Sequence, residues 1–218
     1  YFGTSGCPPL INLYAVRRSK FQSNLCQNHV QAALDMAKNK RIKSVVLIAR
    51  WDYYVDGSDS GNWQPITDQS FKPLDKQQAR NEYERAVTKT YEAFASKNVR
   101  VYVLLQVPHQ NVNPKRIIED LMTKGSLEER RNHLSSNAGK ALKVTEHEQR
   151  QSIASKPWKK LSEGSADQLT LLDPSKVFCN MSYCPMYDNQ TSFYLDDDHA
   201  STNGFARLET MFRRELSQ

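Results

Sequence analysis

Apolar runs alternate with amphipathic helical patterns in this chain, and this alternation restricts its fold more than any other feature. Residues 42–49 and 99–107 are nearly continuous apolar runs rich in β-branched side chains, as expected of strands buried on both faces. A helical pattern precedes each run, at residues 25–40 and 75–97. Helix and strand in this order predict right-handed crossovers and a parallel sheet, and hence an α/β fold.

The alternation is interrupted after Pro108. Residues 113–165 are polar, charged and helical in pattern, with breaks expected at Gly125 and Pro157, and residues 169–173 then restore a strand. Apolar residues in this stretch are too sparse for a core of its own. We therefore interpret residues 113–165 as a helical insertion within a single domain spanning residues 1–218.

The last 40 residues are expected to hold a small loop or hairpin, over residues 178–194, and a closing helix. Ser201 or Thr202 is the expected N-cap of that helix, which would run to Arg214. Its inner face is predicted to carry Phe205, Leu208 and Phe212.

The charge of the chain is unevenly distributed. The formal net charge is +6, and residues 111–160 alone hold 11 basic and 6 acidic side chains. A solvated helical surface is the first interpretation, and a surface facing an anionic polymer or anionic lipid heads is the alternative. No nucleic-acid-binding motif accompanies the charge, so nucleic acid is not an expected partner.

Four cysteines form two pairs that are close in sequence, Cys7 with Cys26 and Cys179 with Cys184. An even count with near partners predicts two disulfides and an oxidising compartment outside the cytoplasm, with four free buried cysteines as the alternative. A zinc site would require a tighter spacing or added histidines. Neither a metal site nor a cofactor is expected.

One carboxylate stands three residues before a histidine, in Asp196-Asp197-Asp198-His199. Such a pair suits a general base with its orienting acid, because a fixed carboxylate selects the imidazole tautomer and stabilises the imidazolium that forms. The alternative is that Asp196 only caps the turn before the closing helix. Asp197 and Asp198 are expected to be solvated or capping residues, because one carboxylate is enough to orient the ring.

Other candidate residues follow the ends of predicted strands, where ligands bind in open parallel sheets. Gly6 could expose a backbone N–H to a ligand, and Arg50 with Trp51 could line a substrate pocket, although each of these two also suits a structural role. His109 follows Pro108 at the end of the second run. The remaining histidines have no evident ligand partners in sequence.

Several of these motifs together resemble a known family. Ser5-Gly6-Cys7-Pro8-Pro9, the strand that ends in Ala49-Arg50-Trp51, the second cysteine pair, and Leu195 to Ser201 occur in the order seen in SGNH-type domains. The particular subgroup that the chain resembles is the extracytoplasmic domain fused behind the membrane-embedded acyltransferase family 3 domain of bacterial O-acyltransferases.

The resemblance implies a three-layer α/β/α sandwich with a flavodoxin-like parallel sheet. It also implies that Asp196 and His199 complete a catalytic triad and that the backbone N–H of Gly6 helps to form the oxyanion hole. The family's nucleophile lies in a Gly-Asp-Ser block that these 218 residues do not contain. We expect that block, with the first strand and helix, to lie upstream of Tyr1. Ser5 as nucleophile is the weaker alternative, because it lacks the elbow spacing of Gly-x-Ser-x-Gly.

The implied function is transfer of an acyl group, with acetyl the expected one, to a hydroxyl of a cell-envelope polysaccharide such as lipopolysaccharide, through an acyl-serine. The acyl donor would come from a fused or associated membrane acyltransferase domain. The domain would be periplasmic or otherwise extracytoplasmic and tethered to the inner membrane through upstream helices. A secreted carbohydrate O-acetyl esterase and a non-catalytic glycan-binding module are the alternatives.

Overall fold

The fold is a mixed α/β architecture, described from a computed structural model that covers residues 6–15, 20–56, 66–67, 72, 74–188 and 191–216. The helices are α1 Lys20–Lys38, α2 Tyr53–Asp56, α3 Lys76–Ala95, α4 Pro114–Leu121, α5 Leu127–Ala138, α6 Val144–Glu163, α7 Ser175–Phe178 and α8 Thr202–Leu216. The strands are β1 Tyr14–Ala15, β2 Ser44–Ile48, β3 Ile66–Thr67, β4 Arg100–Leu104, β5 Leu142–Lys143, β6 Leu169–Leu172, β7 Tyr183–Cys184, β8 Tyr187–Asp188 and β9 Thr191–Ser192.

The three predicted strands form one parallel sheet, in the order β2-β4-β6. β2 and β4 pair in parallel from Ser44 opposite Arg100 to Ile48 opposite Leu104. α3 lies between them in the chain and packs against β4, as a crossover connection requires. The predicted α/β class with a parallel sheet is confirmed.

Local sequence signals explain where the helices begin. Asp75 accepts a hydrogen bond from the backbone N–H of Gln78, and the Gln78 side chain accepts one from the N–H of Asp75, so α3 opens with a capping box. Asn113 caps α4, with Pro114 at the first helical position, and Ser126 with Glu129 forms a second capping box at α5. These caps satisfy N–H groups that the first helical turn leaves without partners.

The chain divides into two compact units. The first contains the described residues up to Leu105 together with Gln151–Leu171, and the second contains Gln106–Arg150 and the described residues from Leu172 onward. The core of the first unit is aromatic and aliphatic, and its largest buried side chains include Trp51, Tyr83, Phe94 and Trp158. The second unit buries Leu142, Phe178, Met186, Tyr194 and Leu208.

The predicted helical segment at residues 113–165 is present as α4, α5 and α6, with Gly125 in the connection between α4 and α5. Pro157 does not end a helix, contrary to the prediction, because α6 runs through it to Glu163. Ala154 and Trp158 on either side are buried in the core of the first unit, and this packing holds the turn in place. The end of α6 is therefore part of that core.

The inner face of α8 differs from the predicted one. Ser201 is the N-cap, as expected, since its hydroxyl accepts from the N–H of Gly204 at 3.2 Å. Gly204, Leu208 and Met211 are the buried residues, whereas Phe205 is 55% exposed.

Within the described residues, no helix combines the length and the apolar character that crossing a membrane requires.

Candidate active site

Asp196 to Asp198 and His199 lie in a short closed loop of the second unit. An antiparallel bridge between Tyr194 and Ala200 closes it, and the N–H of Leu195 donates to the carbonyl of His199 at 2.7 Å. Tyr194 is fully buried at the base of the loop. The loop is thus held by its own backbone just before α8 begins.

Asp196 binds His199 through both backbone and side chain. One carboxylate oxygen, Oδ1, accepts from the N–H of Asp198 at 3.0 Å and from the N–H of His199 at 2.8 Å. The other, Oδ2, lies 2.9 Å from Nδ1 of the imidazole. Partial burial alone would raise the pKa of Asp196, but these hydrogen bonds and the neighbouring imidazole outweigh it and lower the pKa to about 2.

This geometry fixes the tautomer of His199. A carboxylate that stays ionised only accepts hydrogen bonds, so Nδ1 of the imidazole must carry the proton. The lone pair of the neutral ring is then on Nε2, where it can take a proton from a hydroxyl. With 68% of its side chain exposed, the ring is accessible from outside.

Asp198 adds a second carboxylate at the same ring nitrogen. Its Oδ1 lies 2.9 Å from Nδ1 of His199, and its side chain is only 5% exposed. The expectation of a solvated residue is wrong for Asp198, because the loop turns its side chain inward beneath the imidazole. Two carboxylates, those of Asp196 and Asp198, therefore face Nδ1 of the same ring.

Asp196, Asp198 and His199 also bring three ligand-type atoms within 4.8 Å of one another, the one such group among the described residues. Nδ1 is the imidazole atom directed at both carboxylates, and it carries the proton in the tautomer deduced above. A metal ion at Nδ1 would require loss of that proton. The cluster is therefore better described as a histidine held by two carboxylates.

Gly6 has a left-handed backbone, with φ at 72°, and is exposed. Glycine adopts this conformation without strain, whereas other residues pay a steric penalty. The disulfide Cys7–Cys26 anchors the next residue to α1. Gln27 of the same helix accepts from the N–H of Asn12 and donates to the carbonyls of Leu10 and Leu13. Gly6 thus begins a segment that is tied to α1 at several points.

Arg50 and Trp51 follow the end of β2, as predicted, with Ala49 between the strand and Arg50. Trp51 is 1% exposed, donates its indole N–H to the carbonyl of Leu104 and packs edge-on against Trp158. Arg50 lies beside Asp52, with Nε 3.6 Å from Oδ1, and stacks over Tyr53. These contacts assign both residues a structural role, and direct binding of substrate by either stays a prediction.

Both predicted disulfides are present, one in each unit: Cys7–Cys26 in the first and Cys179–Cys184 in the second. Ser5, the alternative nucleophile, lies outside the described residues.

Comparison with known proteins places the chain in a family. Residues 1–214 match the family described as SGNH domain (fused to AT3 domains). The chain belongs to this SGNH domain family. A comparison of the SGNH domain with curated protein sequences found no significant match.

The fold of this SGNH domain is also found in a solved structure. The periplasmic domain of the lipopolysaccharide acetyltransferase of Salmonella ser. Paratyphi A aligns with it at a TM-score of 0.54 and 18% sequence identity. The alignment covers 97% of this chain and 69% of that chain. At this identity the likeness is evidence of a shared fold.

Sequence reasoning named His109 at a strand end of this SGNH domain but did not pair it with Asp197. His109 lies with Nε2 3.1 Å from Oδ2 of Asp197, and its side chain is 4% exposed. The two residues are 88 positions apart, so no local pattern could have paired them. The one available signal was a histidine directly after the proline that ends an apolar run.

Proposed function

We propose that this SGNH domain supplies the base and orienting acid for transfer of an acyl group, with acetyl the expected one, to a hydroxyl of a cell-envelope polysaccharide. The observation that carries the proposal is the imidazole of His199, held at Nδ1 by the ionised Asp196, which leaves the lone pair of the neutral ring on Nε2. Membership of a family fused to AT3 domains supports acyl chemistry. The Salmonella neighbour, an acetyltransferase of lipopolysaccharide, supports a glycan acceptor.

The proposed reaction has two half-reactions. Nε2 of His199 takes the proton of a serine hydroxyl, whose oxygen attacks the acyl carbonyl carbon and forms a tetrahedral oxyanion. The donor group leaves with that proton and an acyl-serine remains. Nε2 then takes the proton of the acceptor hydroxyl, which attacks the acyl-serine, and the proton returns to the departing serine oxygen. In both tetrahedral intermediates, the backbone N–H of Gly6 is proposed to stabilise the oxyanion.

The nucleophilic serine is proposed to lie in a Gly-Asp-Ser block outside these residues, because the 218 residues contain no such sequence. An AT3 domain, fused or associated, is the proposed source of the acyl donor. Two disulfides and the periplasmic neighbour support an extracytoplasmic location, with tethering to the inner membrane as part of the proposal.

The test is His199→Ala in the complete protein that contains this domain. Because Nε2 of His199 serves both half-reactions, acylation of the envelope polysaccharide should fall by about 100- to 10,000-fold. The readout is the number of acyl groups per repeat unit of the isolated polysaccharide, measured by mass spectrometry. Acylation at the wild-type level in His199→Ala would overturn the assignment of the base.

Two matched variants complete the experiment. His133→Ala removes a histidine of α5 whose Nε2 lies 3.1 Å from the carbonyl of Ile117, and acylation should persist. Ser5→Ala should also remain active, and its inactivity would instead identify the nucleophile within this chain. Release of the free carboxylic acid without modified polysaccharide would identify an esterase.

A further inference from the structure

His109 is a buried histidine next to the proposed catalytic loop. It lies in the segment that follows β4, and its Nε2 lies 3.1 Å from Oδ2 of Asp197. A carboxylate accepts, so the ring donates its Nε2–H. Asp197 stands between Asp196 and His199 and keeps 47% of its side chain exposed. The contact therefore fixes Asp197, which lies in the chain between the proposed acid, Asp196, and the proposed base, His199.

A second bond from the same segment reaches the backbone of Asp197. The N–H of Gln110 donates to the carbonyl of Asp197 at 2.7 Å. Gln110 is itself fixed, since its amide donates to the hydroxyl of Tyr194 and to the carbonyl of Cys184 and accepts from the N–H of Leu142. Gln110 as a whole is 2% exposed, so these hydrogen bonds are shielded from water.

The segment is anchored on its other side by α6. One guanidinium nitrogen of Arg150 donates to the carbonyl of His109 at 2.9 Å, and the other donates to Oδ1 of Asn111 at 2.5 Å. Asn111 in turn donates to Glu146 at 3.3 Å. These hydrogen bonds restrict rotation of the backbone at His109, and so they fix the position from which its ring reaches Asp197.

We propose that His109 is a positioning residue for the proposed acyl transfer, acting through Asp197 to hold Asp196 and His199 at their working separation. This inference rests on the proposed function. Hydrogen bonds from His109 to the side chain of Asp197 and from Gln110 to its carbonyl restrict rotation of the loop backbone between the acid and the base. A small shift there would move the Asp196 carboxylate away from Nδ1, and misplacement by about 1 Å can cost about 100-fold in rate. His109 is buried, so it acts on the loop and not on substrate.

The test compares His109→Leu with His109→Gln in the complete protein. Leu fills the site but cannot donate, so kcat for polysaccharide acylation should fall by about 10- to 100-fold while KM for the acceptor stays within about twofold. Gln can place an N–H near the position of the ring Nε2, so it should recover most of kcat. If His109 had only a structural role, its loss would not lower kcat while leaving KM unchanged, and Gln would not restore kcat.

Two further variants keep the test decisive. Asp197→Ala, at a half-exposed side chain, should reproduce the loss in kcat, and the double variant with His109→Leu should be no worse than either single one. His133→Leu is the matched control, because it removes another histidine-to-oxygen hydrogen bond of the same unit without touching the loop, and its kcat should match wild type.

The outcomes separate this inference from the proposed function. Wild-type kcat in His109→Leu or Asp197→Ala, together with an inactive His199→Ala, would overturn the positioning role alone. Equal loss in folded His109→Gln and His109→Leu would also overturn it. Full activity in His199→Ala would instead overturn the proposed function.

Discussion

At the scale of single residues, the Asp196 carboxylate both shapes the loop and orients the base. Its Oδ1 accepts the two backbone N–H groups that form the turn, and its Oδ2 holds the imidazole of His199. All three contacts favour the ionised carboxylate, which is why the pKa of Asp196 falls to about 2 although burial opposes this. Loop stability and orientation of the base therefore depend on the same charge.

Asp196→Asn tests this link through the pH dependence of stability. The depressed pKa means that ionised Asp196 stabilises the folded state fully above the ordinary carboxyl pKa of about 4, and this contribution is lost as the pH falls through about 2. Asn keeps an oxygen for the backbone but has no charge to lose. We expect the wild type to have the larger free energy of unfolding near neutral pH, with the difference narrowing between about pH 5 and pH 3.

Urea unfolding of the purified protein at several pH values within this range measures the difference. A gap between wild type and Asp196→Asn that stays constant down to about pH 3 would contradict the depressed pKa.

The three-residue spacing of Asp196 and His199 made their contact predictable, because both partners lie in one turn. Asp198 was expected to be a solvated or capping residue, since the sequence alone does not show which of three adjacent aspartates has a buried side chain. His109 was unpredictable as a partner of Asp197, because only the tertiary fold brings its segment to the loop. Local pairs could thus be inferred, and long-range tethers could not.

At the scale of elements, the first turn of α8 packs directly on the backbone of Phe193, the residue that follows β9. A Cβ atom at Gly204 would overlap the carbonyl oxygen of Phe193 and lie 3.3 Å from Cβ of Ala200. The N–H of Ser201 donates to that same carbonyl, so the oxygen cannot move freely. Glycine at this position lets the helix begin immediately after the site.

Gly204→Ala should therefore destabilise the protein. Alanine favours a helix by about 1 kcal/mol over glycine, but the overlap is with rigid backbone, and such overpacking costs about 1–3 kcal/mol or more. We expect a net loss in the free energy of unfolding, measured by urea denaturation.

Gly139→Ala is the matched control, because it ends α5 in the right-handed region and has no atom within 4 Å of the added carbon. It should be neutral or stabilise by up to about 1 kcal/mol. A Gly204→Ala variant as stable as Gly139→Ala would show that the helix start has room to shift.

The same glycine explains why the inner face of α8 was misassigned. The predicted face of Phe205, Leu208 and Phe212 satisfies helical spacing, but so does Gly204, Leu208 and Met211. Hydrophobicity favours the phenylalanines, whereas a close backbone approach selects the face that carries glycine. The spacing of apolar residues in a sequence does not reveal where two backbones will pack this closely.

At the scale of the whole molecule, the sheet was predictable because each of its strands is a nearly continuous apolar run. The composition of α6 was less informative, since its polar sequence concealed the two residues, Ala154 and Trp158, that enter the core. One disulfide in each compact unit then closes a loop independently of the sheet.

Removal of the two disulfides should have unequal effects. Cys7–Cys26 joins residues 19 positions apart and Cys179–Cys184 joins residues 5 apart. On the chain-entropy model, replacing both cysteines of a pair by alanine should lower the free energy of unfolding by about 3 kcal/mol in the first case and about 2 kcal/mol in the second.

Urea unfolding of the two double variants under non-reducing conditions measures both losses. A larger loss for the shorter loop would mean that native contacts, and not chain entropy, set the contribution of each disulfide.

The bridge between Tyr194 and Ala200 encloses the acid, the base and the turn that joins them within seven consecutive residues. Most of the geometry of this loop is therefore determined by one short stretch of sequence. Substitutions can accumulate elsewhere in a lineage while this stretch keeps its shape, provided that its anchors are replaced by equivalents. A short local signature can therefore remain recognisable after most of the surrounding sequence has diverged.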